Sequence, residues 1–188
     1  AVTWNIHGLF VRPGHSSSHL EAKHKALRDL TASYQLVALQ ETHGTMADFA
    51  EAKSRFPGWL LFGSTTESRN AGGILIMLSP KLRRIAVDIV FQDFFAGRIA
   101  RSLVRTATAT INSINFFSDP RASTPERRRL ISQVMKTSAS SELITTIMLG
   151  DLNLTLPGDS RLDLENNELQ HTEDPMGRWF STSFPSFT

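Results

Sequence analysis

Residues 143–153 read LITTIMLGDLN, an apolar run that stops on a Gly and two hydrophilic residues. Its first seven residues have strand length and a composition that packs on both faces of a sheet. Gly150 ends the run, and Asp151 and Asn153 stand directly beyond it. A buried strand fixes the backbone at its end, so polar groups there are held in place. Two other apolar runs end the same way. TWNIHG at residues 3–8 delivers Asn5 and His7, and QLVALQETH at residues 35–43 delivers Glu41 and His43. Taken singly, each end has the residue types of a turn or a helix cap. Brought together, the three would form a pocket of two carboxylates, two amides and imidazole. Oxygen donors of this kind, with no thiolate among them, suit a hard cation such as Mg2+.

The segments between these ends define the fold class. Residues 1–6 predict a short buried strand that runs into HGLFVRPG, a loop by its Gly and Pro. Ser18 with Glu21 is a capping-box pattern opening a helix to residue 31, with Leu20, Leu27 and Leu30 on one side. Thr45 with Asp48 caps a second helix, stopped by Pro57-Gly58. GWLLFG and GGILIML follow as strands, and residues 83–92, 98–106 and 109–117 as three more, spaced as antiparallel hairpins. Thr124-Pro125 starts a helix to residue 138, with Leu130, Ile131, Val134 and Met135 on its apolar side. Beyond Asn153 the pattern weakens. This order calls for an α/β layered architecture, sheets inside and helices outside. With no internal repeat and no linker, residues 1–188 are expected to be one domain.

Composition narrows the function. Forty per cent of the 188 residues are apolar and 20% charged, which excludes a disordered or fibrous chain. Without Cys there are no disulfides, thiolate metal sites or Cys nucleophile. No apolar run approaches the roughly 18 residues of a membrane span. The chain enters AVTWNI without an initiator Met, as a piece of a longer polypeptide would. The net charge of +2 is unevenly spread: residues 81–129 hold ten basic and four acidic groups, residues 130–188 three and eight. Fifteen of the 20 basic residues are Arg, whose planar fork matches phosphate oxygens.

WNIHGL, LQETH and LGDLN, in this order and at these separations, resemble the endonuclease/exonuclease/phosphatase superfamily, the deoxyribonuclease I-like fold that includes abasic-site endonucleases. RNAGGILIML looks like its Gly-Gly strand, and GRIARSLVRTATATINSINFFSDP followed by TPERRRLI like its central strands, loop and helix. The match covers residues 1–156 and is most similar to the endonuclease domains of non-long-terminal-repeat retrotransposons. The resemblance implies an α-β-β-α sandwich of two mostly antiparallel sheets flanked by helices. It also implies a metal-dependent phosphodiester hydrolase that nicks DNA, with Mg2+ as cofactor and Mn2+ as its substitute. Its partners would be DNA and a linked reverse transcriptase, without a membrane, at an intracellular, nuclear location. Glu41 and Asn5 would hold the metal. Asp151 would orient or deprotonate the attacking water, and Asn153 and Asn5 would donate to phosphate or hold the carboxylates in register. His7, Arg98, Arg121 and Arg127 would contact phosphate. A phosphatase or RNA nuclease of the same superfamily, or a noncatalytic fragment that binds nucleic acid, are the alternatives.

Three features depart from the family pattern. His7 stands where members often carry an acid or amide near the metal, and imidazole is a poor Mg2+ ligand, so a phosphate contact or packing is expected there. FFSDP places Phe117 and Ser118 where a Tyr or His often precedes the Pro. No Ser-Asp-His string follows Asn153, and His171 in LQHTED does not replace it. The expectation is therefore an incomplete domain, its last strands missing, with little or no nuclease activity by itself. Elsewhere, His15 and His19 are expected in a solvated loop, and Trp4 and Trp59 in the core. At most two of Arg127, Arg128 and Arg129 can reach a ligand on one helix face. The acidic run from Asp159 to Asp174 reads as a mobile polar surface segment.

Overall fold

Apolar runs that do not alternate form the inner strands, because both faces of their sheets are covered. The computed structural model describes residues 1–10, 17–67, 71–138, 144–154, 161–163, 168–170 and 174–184. One sheet has the order β1-β2-β4-β3, from Val2–Asn5, Leu36–Gln40, Ile74–Leu78 and Leu60–Ser64. The second has the order β5-β6-β7-β8, from Ala86–Phe95, Ile99–Thr106, Thr110–Phe117 and Ile144–Asp151. Only β1 with β2 and β7 with β8 run parallel; the other ladders in these sheets are antiparallel. The helices α1 (Ser17–Ser33) and α2 (Met46–Arg55) accompany the first sheet, and α4 (Thr124–Thr137) the second.

Side-chain alternation assigns each strand residue to one of three apolar layers. Leu36, Ala38, Ile74, Ile76 and Leu78 of the first sheet face Ala100, Val104, Phe117 and Leu149 of the second. Val37, Leu39, Leu75 and Met77 point the other way and pack with Leu27 of α1 and Phe49 of α2. On the far face of the second sheet, Ile99, Ile114 and Phe116 meet Leu130, Ile131 and Val134 of α4. Each such fully buried side chain contributes roughly 1.5–3 kcal/mol of transfer free energy. The layering is the α-β-β-α sandwich that the element order called for.

A buried polar pair ties the two sheets together. Gln40 of β2 donates from Nε2 to Asn115 Oδ1 of β7 at 2.7 Å, and Asn115 Nδ2 donates to the Leu39 and Leu75 carbonyls, each at 3.0 Å. Glu41 follows Gln40 directly, and Asn115 is level with Leu149 of β8, two residues before Asp151. The register between the sheets is thus pinned just behind the strand ends.

Several boundaries differ from the sequence reading. Residues 83–85 are the end of a short helix, α3 (Pro80–Ile85), and β5 begins at Ala86. Ser79 caps it by accepting from the Leu82 amide at 3.1 Å, with Pro80 at its start, and this local chemistry outweighs the β-branched composition that follows. Ser18 lies inside the first turn of α1, so it is not the residue preceding the helix. The weak pattern after Asn153 conceals a two-stranded hairpin, β9 (Arg161–Asp163) with β10 (Glu168–Gln170), and α5 (Pro175–Ser183). Met176 and Phe180 of α5 pack on α4 and the second sheet, and Asp174 caps the helix by accepting from the Met176 amide at 2.8 Å. The acidic run read as a mobile segment therefore contains paired strands and a cap. Its remaining residues, with His171, lie outside the described residues, as does His15; His19 is exposed on α1. Trp4 and Trp59 are partly buried against the outer layer of the first sheet. No helix among the described residues is long and apolar enough to cross a membrane.

Candidate active site

β1, β2 and β8 end side by side, and the sequence places a polar residue at each end. Asn5 is the junction. Its Nδ2 donates to Glu41 Oε1 at 2.8 Å and to Asp151 Oδ2 at 3.2 Å, so one amide group binds a carboxylate from each sheet. An amide carries two N–H donors and can satisfy both acceptors at once. The Asn5 Oδ1 accepts from the His7 backbone amide at 3.4 Å. The second oxygen of Glu41 lies 3.5 Å from His7 Nδ1 and 3.3 Å from His43 Nε2.

Four non-glycine residues among those described have a positive φ, and all four are here: His7 (+47°), Glu41 (+52°), His43 (+54°) and Asn153 (+49°). Left-handed backbone costs an L-residue about 1–2 kcal/mol, so the surrounding bonds must hold these conformations in place. The Gly8 amide donates to the Glu41 carbonyl at 2.7 Å, and the Leu9 amide to that of Thr42 at 2.9 Å. The Thr42 and His43 amides donate to the Gly73 and Gly72 carbonyls, both at 3.0 Å. Gly73 is required on two counts: its φ is +84°, and a Cβ would press into Thr42 Oγ1. Lys23 of α1 adds a clamp, donating from Nζ to the His7 and Gly8 carbonyls at 2.7 and 3.0 Å.

On the β8 side, Asp151 Oδ1 accepts from the Asn153 amide at 2.8 Å. Asn153 Nδ2 donates to the Ser118 carbonyl at 2.7 Å, and the Ser118 amide returns to the Asp151 carbonyl at 2.9 Å. Gly150 makes the approach of β8 to β7 feasible, because a Cβ there would overlap the Phe116 carbonyl. Ser118 is fully buried and serves through its backbone bonds and through its hydroxyl, which accepts from Arg127 Nε. The position where the family often carries a Tyr or His is therefore a structural link in this chain.

The four candidate phosphate residues fall into different settings. His7 is 70% exposed beside Glu41. Arg121 is 78% exposed and donates to both oxygens of Asp119, at 3.2 and 3.3 Å. Hydrogen bonding to Asp119 raises the Arg121 guanidinium above its ordinary value, and the field of Glu41 adds to this. Arg98 is engaged on Asp119 Oδ2 at 3.1 Å and lies over the Phe117 ring at 5.0 Å. Arg127 turns inward, onto the loop after β8. Of its neighbours, Arg128 covers Trp179 and Arg129 covers Phe95. Asp119, which the sequence did not single out, organises two of the candidates. Burial pushes its carboxyl up, but hydrogen bonds from Arg121 and Arg98 outweigh this and lower it to about 2.

Among the described residues no three His, Asp or Glu side chains gather as a cage for a metal ion. The donor set nevertheless fits Mg2+, which binds through one or two carboxylates and keeps several waters, while zinc requires three or four protein ligands. Asn5 binds Glu41 Oε1, and Glu41 Oε2 lies between the imidazoles of His7 and His43.

Comparisons with known proteins show the same fold. D. rerio TDP2, solved in complex with a single-strand DNA product, superposes with a TM-score of 0.57 at 20% identity over 81% of this chain and 60% of its own. The 3' phosphatase NExo from Neisseria, bound to a product DNA hairpin, gives 0.57 at 19% identity over 95% and 67%. The endonuclease domain of TRAS1, a telomere-specific non-LTR retrotransposon, gives 0.54 at 15% identity over 87% and 63%. These likenesses establish a shared fold, and the chain spans about two thirds or less of each structure's length. No curated protein sequence matches the chain. The family model for the Endonuclease/Exonuclease/phosphatase family matches residues 2–188, and the chain belongs to that family.

Proposed function

We propose that the chain is a divalent-metal-dependent phosphodiester hydrolase acting on DNA, in the manner of a non-long-terminal-repeat retrotransposon endonuclease. In that reading a reverse transcriptase is its linked partner and the nucleus its place of action. One observation carries the chemistry: Asn5 Nδ2 holds the carboxylates of Glu41 and Asp151 in a single hydrogen-bonded unit at the ends of two sheets.

Glu41 would hold the cation, with Asn5 beside it. A bound Mg2+ supplies charge neutralisation on the nonbridging phosphate oxygens. Asp151, its Oδ1 fixed by the Asn153 amide, keeps Oδ2 at the Asn5 junction, where a carboxylate can orient an attacking water and take its proton. Arg121 is the exposed guanidinium nearest in role to a phosphate clamp: Asp119 accepts from its Nε and Nη2, and the side chain is 78% exposed. His7, exposed on the other flank of Glu41, is the second phosphate donor.

The DNA reading is supported by a basic middle segment and by the two neighbours solved with DNA. Supercoiled plasmid, incubated with the chain in excess and Mg2+ under single-turnover conditions, tests the chemistry. Asp151→Asn is expected to slow Mg2+-dependent nicking by about 10²–10⁴, the usual contribution of a positioned base. Nicking that is unaffected by Asp151→Asn, or by chelating the metal, would contradict the proposal.

A further inference from the structure

We infer that Arg127 is a positioning residue for the loop carrying Asp151 and Asn153, in place of the phosphate contact its sequence position suggests. The inference rests on the reading of Asp151 given above. Arg127 sits in the first turns of α4, whose start is fixed by a capping box: Ser123 Oγ accepts from the Glu126 amide at 3.4 Å, and Glu126 Oε2 accepts from the Ser123 amide at 2.9 Å. From there the side chain reaches across to the end of β8. Its Nη2 donates to the Asn153 carbonyl and, at 3.5 Å, to that of Leu152; its Nε lies 3.5 Å from Ser118 Oγ.

These acceptors belong to one closed circuit. Asn153 has a left-handed backbone, gives its amide to Asp151 Oδ1 at 2.8 Å and its side chain to the Ser118 carbonyl at 2.7 Å. The Ser118 amide binds the Asp151 carbonyl at 2.9 Å. Arg127 touches both sides of this circuit. The planar guanidinium presents several donors in a fixed fork, so it can hold the carbonyls of one segment and a hydroxyl of another in one geometry. Both arginines spend Nε and Nη2 on the protein itself, Arg121 on the Asp119 carboxylate and Arg127 on backbone carbonyls and a hydroxyl. Arg121, however, is 78% exposed, whereas Arg127 lies in a part-buried setting with less access for a phosphate. Its effect on reaction would therefore pass through the angle of the Asp151 carboxylate.

Arg127→Lys and Arg127→Gln distinguish the roles, with Arg121→Gln measured beside them. Lysine keeps the charge but concentrates it at one point, and cannot reproduce the fork. Both Arg127 variants are expected to bind a duplex oligonucleotide with unchanged affinity and an unchanged slope of log K against log salt. Their single-turnover nicking should fall about tenfold or more, because small misplacements of a catalytic group are costly. Amides of residues 150–154 should exchange faster with deuterium in both, while those of β2 stay as in the parent. A salt slope lowered by about 0.9, with affinity restored by lysine, is the signature of a phosphate contact and would overturn the inference. Unchanged exchange at residues 150–154 in Arg127→Gln would overturn it as well. A parent chain that binds DNA but never nicks would sink the hydrolase reading alone, since the exchange and salt-slope arms decide Arg127 without turnover.

Discussion

Glu41 is held at a φ of +52°, a backbone region that favours glycine, and it is one of the two carboxylates of the site. The fold thus carries strain at the point where the chemistry is placed. Comparing Glu41→Gly with Glu41→Ala isolates that strain, because both remove the carboxylate. The glycine variant is expected to be more stable than the alanine variant by about 1 kcal/mol, read from urea unfolding. Equal stabilities would mean that the conformation costs nothing. Asp119 makes a second residue-scale case. Its folded value of about 2 lies below the ordinary 3.8, so its contribution to stability is fully present above pH 4 and disappears as pH falls towards 2. The stability difference between the parent and Asp119→Asn should accordingly shrink between pH 4 and pH 2. A gap independent of pH over that interval would show that the Arg98 and Arg121 bonds do not depend on the ionised carboxylate.

At the scale of elements, the strand ends are set by pairs that the sequence did not advertise. Gln40 and Asn115 look in the sequence like ordinary polar residues within strand runs, yet they are 1% exposed and join the two sheets. Asn115→Leu leaves the Gln40 amide buried without its partner, which is expected to cost about 2 kcal/mol; adding Gln40→Leu should recover part of that loss. Additive losses in this cycle would refute the bridge. The elements themselves were legible where periodicity and caps agreed. The Thr45–Asp48 cap forms as a hydrogen-bonded box, and the helix expected from Thr124-Pro125 forms, closed by a Ser123–Glu126 box that the sequence reading did not single out. Legibility failed where a local cap opposed composition, at Ser79 and Pro80. It failed again at α5, a short helix that Asp174 caps and Pro175 starts but whose buried residues Met176 and Phe180 pack on a sheet distant in sequence.

For the whole molecule, the sandwich explains why three weak signals make one strong site. Glu41 and Asp151 are 36 and 146 residues from Asn5; the parallel pairing of β1 with β2 sets Glu41 beside Asn5, and the juxtaposition of the two sheets adds Asp151. The residue types at the strand ends were readable; their left-handed backbones were not, since φ depends on the loop bonds from Gly72, Gly73 and the Gly8 region. The charge pattern also changes meaning in three dimensions. Several arginines of the basic middle segment are bound to their own sheet: Arg105 to Asp88, Arg101 to Gln92, Arg98 to Asp119. Arg121 stays 78% exposed on Asp119, while Arg127 is drawn into the protein. Replacing Glu41 by Gln keeps the size of the side chain and its bond to Asn5 while removing the negative charge that would hold a metal. Measured together, Mg2+-dependent nicking of supercoiled plasmid by Glu41→Gln is expected to vanish while its affinity for the same DNA stays within about twofold of the parent, a difference of some 0.4 kcal/mol. Undiminished metal-dependent nicking by Glu41→Gln would contradict the assignment of this site.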